Sequence, residues 1–155
     1  MTDLVEFLSS GSISAGLSVP SRKALFAHIA STAASEYGLD PALVAEKLTE
    51  RERLGSTGFG NGIAIPHGKI DGLEHVVGIF AQLSPSVDFQ AVDNMPVDIV
   101  FCLLSPTDSG AEHLKALALV SRWLRDPGFI ARLRGAGTAD ALYALMESQE
   151  SRNAA

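Results

Sequence analysis

Cysteine is the scarcest informative residue in this chain of 155 residues, because it occurs only once, at Cys102. A lone cysteine excludes a disulfide bond within the chain and is typical of proteins that work in a reducing compartment. Cys102 lies within the apolar run Val97–Leu104. A thiol in such a run usually behaves as a small buried hydrophobic side chain, so we expect Cys102 to be buried and unreactive.

The chain also lacks an excess of positive charge and lacks any long hydrophobic run. It has 12 Lys and Arg against 18 Asp and Glu, a formal net charge of −6. Nucleic-acid binding needs clustered cations, so this composition argues against a nucleic-acid partner. No stretch approaches the ~20 apolar residues that span a bilayer, and the acidic N-terminus is unlike a secretory signal. We therefore expect a cytoplasmic protein that does not insert into membranes.

What the chain does have is material for a core, because 46% of its residues are apolar and 19% are charged. A chain of 155 residues with this composition can form one substantial hydrophobic core and is too short for a second domain with a core of its own. We therefore predict a single domain over residues 1–155, with a frayed tail at Ser148–Ala155.

Helix signals dominate the first third of the chain. Ser21 is a favourable N-cap and Gly38 a favourable helix stop, while Asp40 followed by Pro41 is a second capped start. The predicted elements are a short helix at Asp3–Ser9, an edge strand within Gly11–Val19, a helix from the cap Ser21 to Tyr37, and a helix from the cap Asp40 to about Arg51.

Strand signals dominate the middle of the chain. The runs Val76–Leu83 and Val97–Leu104 are almost continuously apolar, which favours strands covered on both faces. Between them we predict turns at Pro85, Asp93-Asn94 and Pro96.

Helices are predicted again after the second apolar run. They are Ala111–Leu124, with Leu114, Leu117, Ala118 and Trp123 facing inward, a short helix from Asp126-Pro127 to near Gly135, and a helix from the cap Thr138 to about Glu150. Strands in the middle with helices before and after predict an α/β fold. We expect a single-domain sandwich, in which helices cover both faces of a small mixed β-sheet.

The stretch Arg51–Lys69, RERLGSTGFGNGIAIPHGK, is the most distinctive part of the sequence. Its glycines can form a tight loop that exposes backbone N–H groups. Ile63–Ile65 predicts a brief strand, and Pro66 is expected to end it because proline cannot donate to a sheet ladder. His67 is then left at the edge of the sheet, next to the flexible Gly68. This framing indicates a reactive histidine.

Three other kinds of site fit these residues poorly. A nucleotide P-loop has four residues between its glycines and a hydroxyl after its lysine, whereas five residues separate Gly62 from Gly68 and Ile70 replaces the hydroxyl. The histidines lack metal-ligand spacing, so no metal site is supported; we expect His28 to be structural or exposed and His75 to be solvated. A serine hydrolase is weakly supported, because no G-x-S-x-G is present.

Histidine itself remains as a candidate nucleophile. A neutral imidazole nitrogen can attack a phosphoryl group near neutral pH, because its unperturbed pKa is about 6.5. The ring must be held in one tautomer, for example by a backbone carbonyl on its other nitrogen. Candidate donors to the phosphoryl charge are Arg51, the hydroxyls of Ser56 and Thr57, and amides of the glycine loop. His113 is another candidate, although a histidine at such a position is more often a surface group.

The segment GNGIAIPHGK, with RERLGST before it, resembles the active-site region of the phosphotransferase-system IIA domains of the fructose/mannitol class. The later segments VDNMPVDIVFCLLSP, GAEHLKALALVSRWL and GTADALYALM are also similar to that class. The resemblance covers nearly the whole chain. It implies an EIIA type-2 domain with the fold of that class, a component of a phosphoenolpyruvate-dependent relay that uses no cofactor and no metal.

The resemblance also implies roles for three residues. An HPr-like phosphocarrier would hand its phosphoryl group to His67 as the nucleophile. His113, in the helix after a core strand, would assist the phosphoryl group. Arg51, sixteen positions before the nucleophile, would stabilise its charge.

The wording STGFGNGIAIPH is most similar to the nitrogen-related regulatory branch of that class. Such proteins end the relay and regulate targets such as ion-transport components or sensor kinases according to their phosphorylation state. The alternative is a sugar-specific fructose/mannitol IIA component that passes phosphate to a IIB domain. We expect the regulatory role, since no linker or second domain follows in this chain. A binding module whose histidine is never phosphorylated is a third hypothesis.

Overall fold

The computed structural model describes the backbone of residues 4–154 and the side chains of residues 4–147. Two 3-10 turns, Leu4–Phe7 and Ser10–Ser12, precede the first strand. The strands are β1 (Ile13–Leu17), β2 (Gly58–Gly60), β3 (Ile63–Ala64), β4 (His67–Lys69), β5 (Val77–Val87) and β6 (Val97–Ser105). The helices are α1 (Arg22–Tyr37), α2 (Pro41–Arg53), α3 (Gly110–Leu124), α4 (Pro127–Gly135) and α5 (Ala139–Ala154).

The six strands form one mixed sheet in the order β1-β5-β6-β3-β2, with β4 also paired to β6. The central pair, β5 and β6, is antiparallel, and β1 lies parallel to β5. Strands β3 and β4 both run parallel to β6, one after the other, and β2 pairs antiparallel with β3. Strand β6 therefore positions His67, because β4, which contains His67, pairs with it.

Alternate side chains of β6 enter two separate cores, because successive strand residues point to opposite faces of a sheet. One core contains Val100, Cys102 and Leu104 and is closed by α1 and α2. The other contains Ile99, Phe101 and Leu103 and is closed by α3, α4, α5 and the first 3-10 turn. Helices thus cover both faces of a mixed sheet, which confirms the predicted α/β sandwich.

The predicted caps are present where the sequence indicated them. The Oγ of Ser21 accepts a hydrogen bond from the N–H of Ala24, and Gly38 has the left-handed φ of +70° that ends a helix. The carboxylates of Asp40 and Asp126 cap α2 and α4. These local signals were sufficient because capping depends on neighbouring residues in the chain and not on packing.

Strand β3 ends at Ala64, before Pro66, as predicted. Pairing with β6 nevertheless resumes after the proline, because the Pro66 carbonyl accepts the N–H of Leu103 at 2.9 Å and His67 begins β4. His67 therefore lies in a short paired strand, which was not predicted. Pro85 does not mark a turn, since β5 continues to Val87; the register of β5 against β6 is irregular between Gln82 and Val87, where a missing N–H is tolerated.

Other elements differ from the prediction at their boundaries or faces. Residues 58–60, expected in a loop, form β2, and the expected helix near Phe7 is only a 3-10 turn; Asp3 lies outside the described residues. In α3, Leu114 is 67% exposed and Ala118 is exposed, whereas the buried face is His113, Ala116, Val120, Trp123 and Leu124. The inward stripe of α3 was therefore assigned partly to the wrong face.

Helix α5 buries Leu142 and Met146 as expected, and its backbone is helical to Ala154. The side chains of the tail that was expected to fray, from residue 148 onward, lie outside the described part. Within the described residues, no helix is both long and apolar enough to cross a membrane. Cys102 is fully buried, as predicted, and burial strongly raises the pKa of its thiol.

Candidate active site

The candidate site lies where the end of β6, the last turn of α2 and the first turn of α3 meet beside β4. Arg51, His67 and His113 all line one cavity of about 760 Å³. The three residues that were assigned from sequence therefore come together in space. The pairing of β4 with β6 places His67 at the end of β6, and the turn from β6 into α3 brings His113 to the same end.

His67 is half-buried, and both of its ring nitrogens have partners. Its Nδ1 lies 2.8 Å from the carbonyl oxygen of Ile65. Its Nε2 lies 3.1 Å from the Nε of Arg51. The first contact is local, because Pro66 fixes the chain between the carbonyl of residue 65 and the imidazole.

These two partners determine the tautomer of His67. A carbonyl oxygen can only accept a hydrogen bond, so Nδ1 carries the proton and donates it to Ile65. A guanidinium can only donate, so Nε2 carries the lone pair and accepts from Arg51. The predicted requirement of a backbone carbonyl on the second nitrogen is met, and Nε2 carries the available lone pair of the ring.

The surroundings of His67 favour its neutral form. Burial is the main cause that lowers its pKa below the usual value of 6.5, and the positive charge of Arg51 lowers it further. The hydrogen bond to Ile65 and the charge of Glu52 act in the opposite direction. Because the net pKa is lowered, the ring is neutral and its lone pair available at neutral pH.

Arg51 is held by the turn that follows α2. Its Nη1 donates to the carbonyl of Gly55 at 2.9 Å, while its Nε donates to His67. Glu52, which is only 8% exposed, anchors this turn: its carboxylate accepts from the N–H of Thr57 at 3.1 Å and from the Nη1 of Arg22 at 3.0 Å. The hydroxyl of Thr57 also bonds to Glu52.

His113 is 9% exposed and lies in the first turn of α3. Its ring centroid is 5.6 Å from that of His67. Its Nδ1 is 2.6 Å from the Oγ of Ser105 at the end of β6. Burial is the largest cause that lowers the pKa of His113, followed by the charges of His67 and Lys69, so this ring too is neutral at neutral pH.

The hydroxyls of Ser56 and Thr57 were candidate donors, and the structure does not bring them to the site. The Ser56 hydroxyl donates to the carbonyl of Phe89 at 2.7 Å, and the Thr57 hydroxyl bonds to Glu52. Both side chains therefore fasten the glycine-rich turn instead of lining the cavity. Position in the chain next to a motif did not predict where the hydroxyl points.

Sequence reasoning missed several other lining residues, among them Lys47, Leu54 and Lys69. Lys47 and Leu54 lie four residues before and three after Arg51, which is the spacing of one helix face, so helical periodicity could have found them. Lys69 lies two residues after His67 on the same side of β4, which strand alternation could have indicated. Leu54 is 84% exposed, so it is open to a partner surface.

The two remaining histidines do not line this cavity. His28 is half-buried in α1, where burial lowers its pKa and its Nε2 lies 3.3 Å from the hydroxyl of Ser14. His75 is exposed, as predicted. Among residues 4–147, no group of three or more His, Cys, Asp or Glu side chains is arranged to hold a metal ion.

The arrangement combines a neutral imidazole lone pair, an adjacent guanidinium and a second buried imidazole in an open cavity. This set is suited to attack on phosphorus, because the nucleophile is unprotonated and the phosphoryl oxygens would meet hydrogen-bond donors. The sequence family agrees with this chemistry. The family described as "Phosphoenolpyruvate-dependent sugar phosphotransferase system, EIIA 2" matches residues 6–149, and the chain belongs to this family.

Within the family, the chain is a homologue of the nitrogen regulatory IIA proteins. The nitrogen regulatory protein of Bradyrhizobium diazoefficiens is 43% identical over 146 residues, which cover 94% of each chain. That of Escherichia coli K12 is 43% identical over 131 residues, 84% of this chain and 80% of the relative. These matches confirm the family and the branch that the sequence motifs indicated.

Solved structures agree. The nitrogen regulatory protein IIA-Ntr of Neisseria meningitidis superposes with a TM-score of 0.85 at 34% identity, covering 91% of this chain and 97% of that one. The mannitol IIA of Escherichia coli has a TM-score of 0.75 at 20% identity, covering 89% of this chain and 97% of that one. The second likeness concerns the fold alone.

Proposed function

We propose that this chain accepts a phosphoryl group on Nε2 of His67 from an HPr-like phosphocarrier and regulates target proteins according to its phosphorylation state. The observation that carries the proposal is the pair of fixed partners on one imidazole. The Ile65 carbonyl lies 2.8 Å from Nδ1 and the Arg51 Nε lies 3.1 Å from Nε2. The ring is thereby kept neutral, with its lone pair beside a cation in an open cavity.

The transfer step balances without proton transfer at the reacting nitrogen. The lone pair of Nε2 forms the new N–P bond while the bond from phosphorus to the carrier's phosphohistidine breaks, and that electron pair stays on the carrier's nitrogen. The His67 ring becomes positive as the bond forms. Its Nδ1–H then donates to the Ile65 carbonyl more strongly, because hydrogen bonds of charged groups are stronger.

Arg51 and His113 supply the donors in this proposal. The Nε–H of Arg51 leaves the ring nitrogen and donates to the phosphoryl oxygens, while Nη1 remains on the Gly55 carbonyl as a pivot. His113, with its ring 5.6 Å from that of His67, is the second donor. Phosphoryl transfer depends mainly on such positioning and charge stabilisation, because charge spreads over the phosphoryl oxygens in the transition state.

The carrier is proposed to dock around the cavity, since phosphorus must reach a half-buried nitrogen. Leu54 and Leu114 are 84% and 67% exposed and belong to the two helix ends that frame His67. Exposed apolar side chains beside a reactive group favour a protein partner over a small phosphorylated metabolite. In this proposal, residues 1–155 act as one EIIA type-2 domain in the cytoplasm.

The regulatory role is favoured because the nitrogen regulatory relatives match along nearly the whole chain. Targets such as ion-transport components or sensor kinases would distinguish the phosphorylated from the free protein by the charge added at His67. The alternative is a sugar-specific IIA component, which the shared fold with the mannitol IIA supports. That component would pass its phosphoryl group on to a fructose or mannitol IIB domain.

The test is reconstitution of the relay with phosphoenolpyruvate, enzyme I and an HPr-like carrier. We expect an alkali-stable, acid-labile label on the wild-type protein and on a His75→Ala control, whose histidine is exposed and does not line the cavity. The His67→Ala variant should take up none. Label on that variant, or none on the wild-type protein with an active carrier, would contradict the proposal, and the latter would favour a binding module that is never phosphorylated.

A second arm separates the two relay roles. Labelled protein is mixed with a fructose or mannitol IIB domain, and loss of label is followed over time. The regulatory role predicts retention of the label for far longer than it takes a sugar-specific IIA protein to transfer it under the same conditions. Rapid onward transfer would instead assign the chain to sugar transport.

A further inference from the structure

The end of strand β6 places a fully buried hydroxyl against His113. Ser105 has no exposed surface, and its Oγ lies 2.6 Å from the Nδ1 of His113. Its backbone is fixed in the sheet, because Ser105 pairs with Lys69 and its carbonyl accepts the N–H of Ile70 at 2.8 Å. The position of the hydroxyl beside the imidazole is therefore fixed by the backbone of the sheet.

The direction of this hydrogen bond follows from the partners that the hydroxyl has. Within residues 4–147, the Oγ of Ser105 has one hydrogen-bond partner, the Nδ1 of His113. If Nδ1 carried the ring proton, the hydroxyl proton would have no acceptor in a buried position, which is costly. The hydroxyl therefore donates to Nδ1, and the proton of the neutral ring lies on Nε2.

We infer that Ser105 is a positioning residue that holds His113 in the Nε2–H tautomer, so that His113 can donate a hydrogen bond to a phosphoryl group on His67. This inference rests on the proposed function and adds a residue to it. The two histidines then carry opposite tautomers: His67 offers a lone pair at Nε2, and His113 offers an N–H at its Nε2.

Tautomer matters here because His113 is neutral. A neutral imidazole donates from only one nitrogen, whereas a protonated one donates from both. Burial is the main cause that lowers the pKa of His113, and repulsion by His67 when it is protonated and by Lys69 lowers it further. The neutral form therefore predominates at neutral pH. A neutral His113 with its proton on Nδ1 would present a lone pair to the phosphoryl oxygens and repel them.

The first test reads the tautomer directly and needs no phosphotransfer. Protein with ¹⁵N-labelled histidine is studied by long-range ¹H–¹⁵N correlation at neutral pH. We expect the wild-type His113 to carry its proton on Nε2, and Ser105→Ala to shift His113 toward a mixture of tautomers. A wild-type His113 with its proton on Nδ1 would overturn the inference, whatever the fate of any variant.

The second test measures single-turnover transfer from the phosphorylated carrier to His67. We expect Ser105→Ala to lower the saturating rate about 2- to 13-fold, the effect of about 0.5–1.5 kcal/mol for one hydrogen bond, without weakening carrier binding. Ser105→Thr retains the hydroxyl and should restore the rate. Ser12→Ala removes another buried hydroxyl, bonded to Ser9, and should leave the rate unchanged.

The outcomes separate this inference from the proposed function. If His67 is never labelled, the proposed function fails, while the tautomer measurement still decides the Ser105 hydrogen bond. If His67 is labelled and Ser105→Ala transfers at the wild-type rate, the positioning role is wrong and the function stands. Failure of Ser105→Thr to recover the rate would also contradict the role of the hydroxyl.

Discussion

The two ring nitrogens of His67 have different tasks because their partners have different hydrogen-bonding capacities. The Ile65 carbonyl accepts only and therefore keeps a proton on Nδ1. Arg51 donates only and therefore leaves the lone pair on Nε2. Pro66 fixes the chain between the Ile65 carbonyl and the ring, and Arg51 supplies the second partner. Backbone geometry and one cation thus decide which ring nitrogen keeps its lone pair.

Arg51 is expected to contribute more to transfer than to stability. Because it is half-buried and contacts His67 directly, Arg51→Ala should slow single-turnover phosphorylation by about 10²–10³-fold, the effect of removing one preorganised donor. The rate is measured with purified phosphorylated carrier, and folding is checked by thermal unfolding.

Arg53 is the matched control for Arg51. It belongs to the same helix end, two residues further on, and is exposed. We expect Arg53→Ala to transfer at close to the wild-type rate. Equal slowing by both substitutions would mean that general positive charge, and not the Arg51 contact with Nε2, governs transfer.

The titration of His67 should reflect its burial. Its pKa is lowered first by burial, with Arg51 adding to that effect, so the midpoint of its protonation should lie below the ordinary value of 6.5. The neutral form therefore predominates at pH 7 and is lost as the pH falls through the lowered pKa. The ring C–H signals in an NMR titration report this directly, with a histidine-containing unstructured peptide for comparison. A His67 midpoint at or above that of the peptide would contradict this account.

At the scale of elements, the sequence predicted helices better than strand pairing. Ser21, Asp40 and Asp126 were found as caps because capping is decided within a few residues. The pairing of β4 beyond Pro66 was missed, because it depends on a carbonyl that accepts from Leu103, far away in the chain. Features that depend on neighbouring residues could be predicted from the sequence, whereas pairing with distant strands could not.

The residues of the candidate site also differ in how far the sequence could predict them. His67 is framed by its immediate neighbours, so the residue itself could be found from the motif. Arg51 and His113 were candidates from the sequence and received their roles only from the family resemblance, because nothing local to either residue indicates its distance to His67. Nothing in the sequence indicated Ser105, since its hydrogen bond to His113 depends on how the turn after β6 leads into α3.

Gly62 connects the glycine-rich turn to β3 and the start of β6. Its φ is +81°, and its carbonyl accepts the N–H groups of Asp98 and Ile99 at 2.9 and 3.1 Å. A Cβ at this position would lie 2.5 Å from the Nη2 of Arg134. We expect Gly62→Ala to destabilise the fold by at least about 1–2 kcal/mol, the cost of a left-handed backbone for a non-glycine residue. Urea unfolding measures this change.

Gly135 provides a control for Gly62, because alanine at this position is not expected to lower the stability of the fold. It ends α4, its backbone is not left-handed, and a Cβ there would meet no atom within 4 Å. Gly135→Ala should therefore leave stability unchanged or raise it by up to about 1 kcal/mol, because alanine restricts the unfolded chain. Equal destabilisation by both substitutions would show that backbone conformation is not the cause.

For the whole molecule, two cores share one sheet, and β6 supplies side chains to both. The cavity that contains His67 lies where helices from the two sides, α2 and α3, meet at the end of that strand. Neither core alone would bring Arg51 and His113 together. The geometry of the site therefore depends on the intact sandwich.

Cys102 reports on that intact state. It lies fully buried at the middle of β6, and burial raises the pKa of its thiol, so a thiol reagent should reach it only when the sheet opens. We expect the midpoint of its modification in urea to coincide with the midpoint of unfolding by circular dichroism. A Cys102→Ala/Val92→Cys protein, whose position 92 is 81% exposed, should react without denaturant. Rapid modification of the wild-type thiol in buffer alone would contradict the buried, shared core.

The most direct measurement of the central claim is the site of phosphorus attachment in protein with ¹⁵N-labelled histidine, phosphorylated through the relay and studied by ³¹P–¹⁵N NMR. The account predicts that phosphorus couples to Nε2 of His67, while Nδ1 keeps its proton on the Ile65 carbonyl. Phosphorus on Nδ1 of His67, or on any other residue, would contradict it.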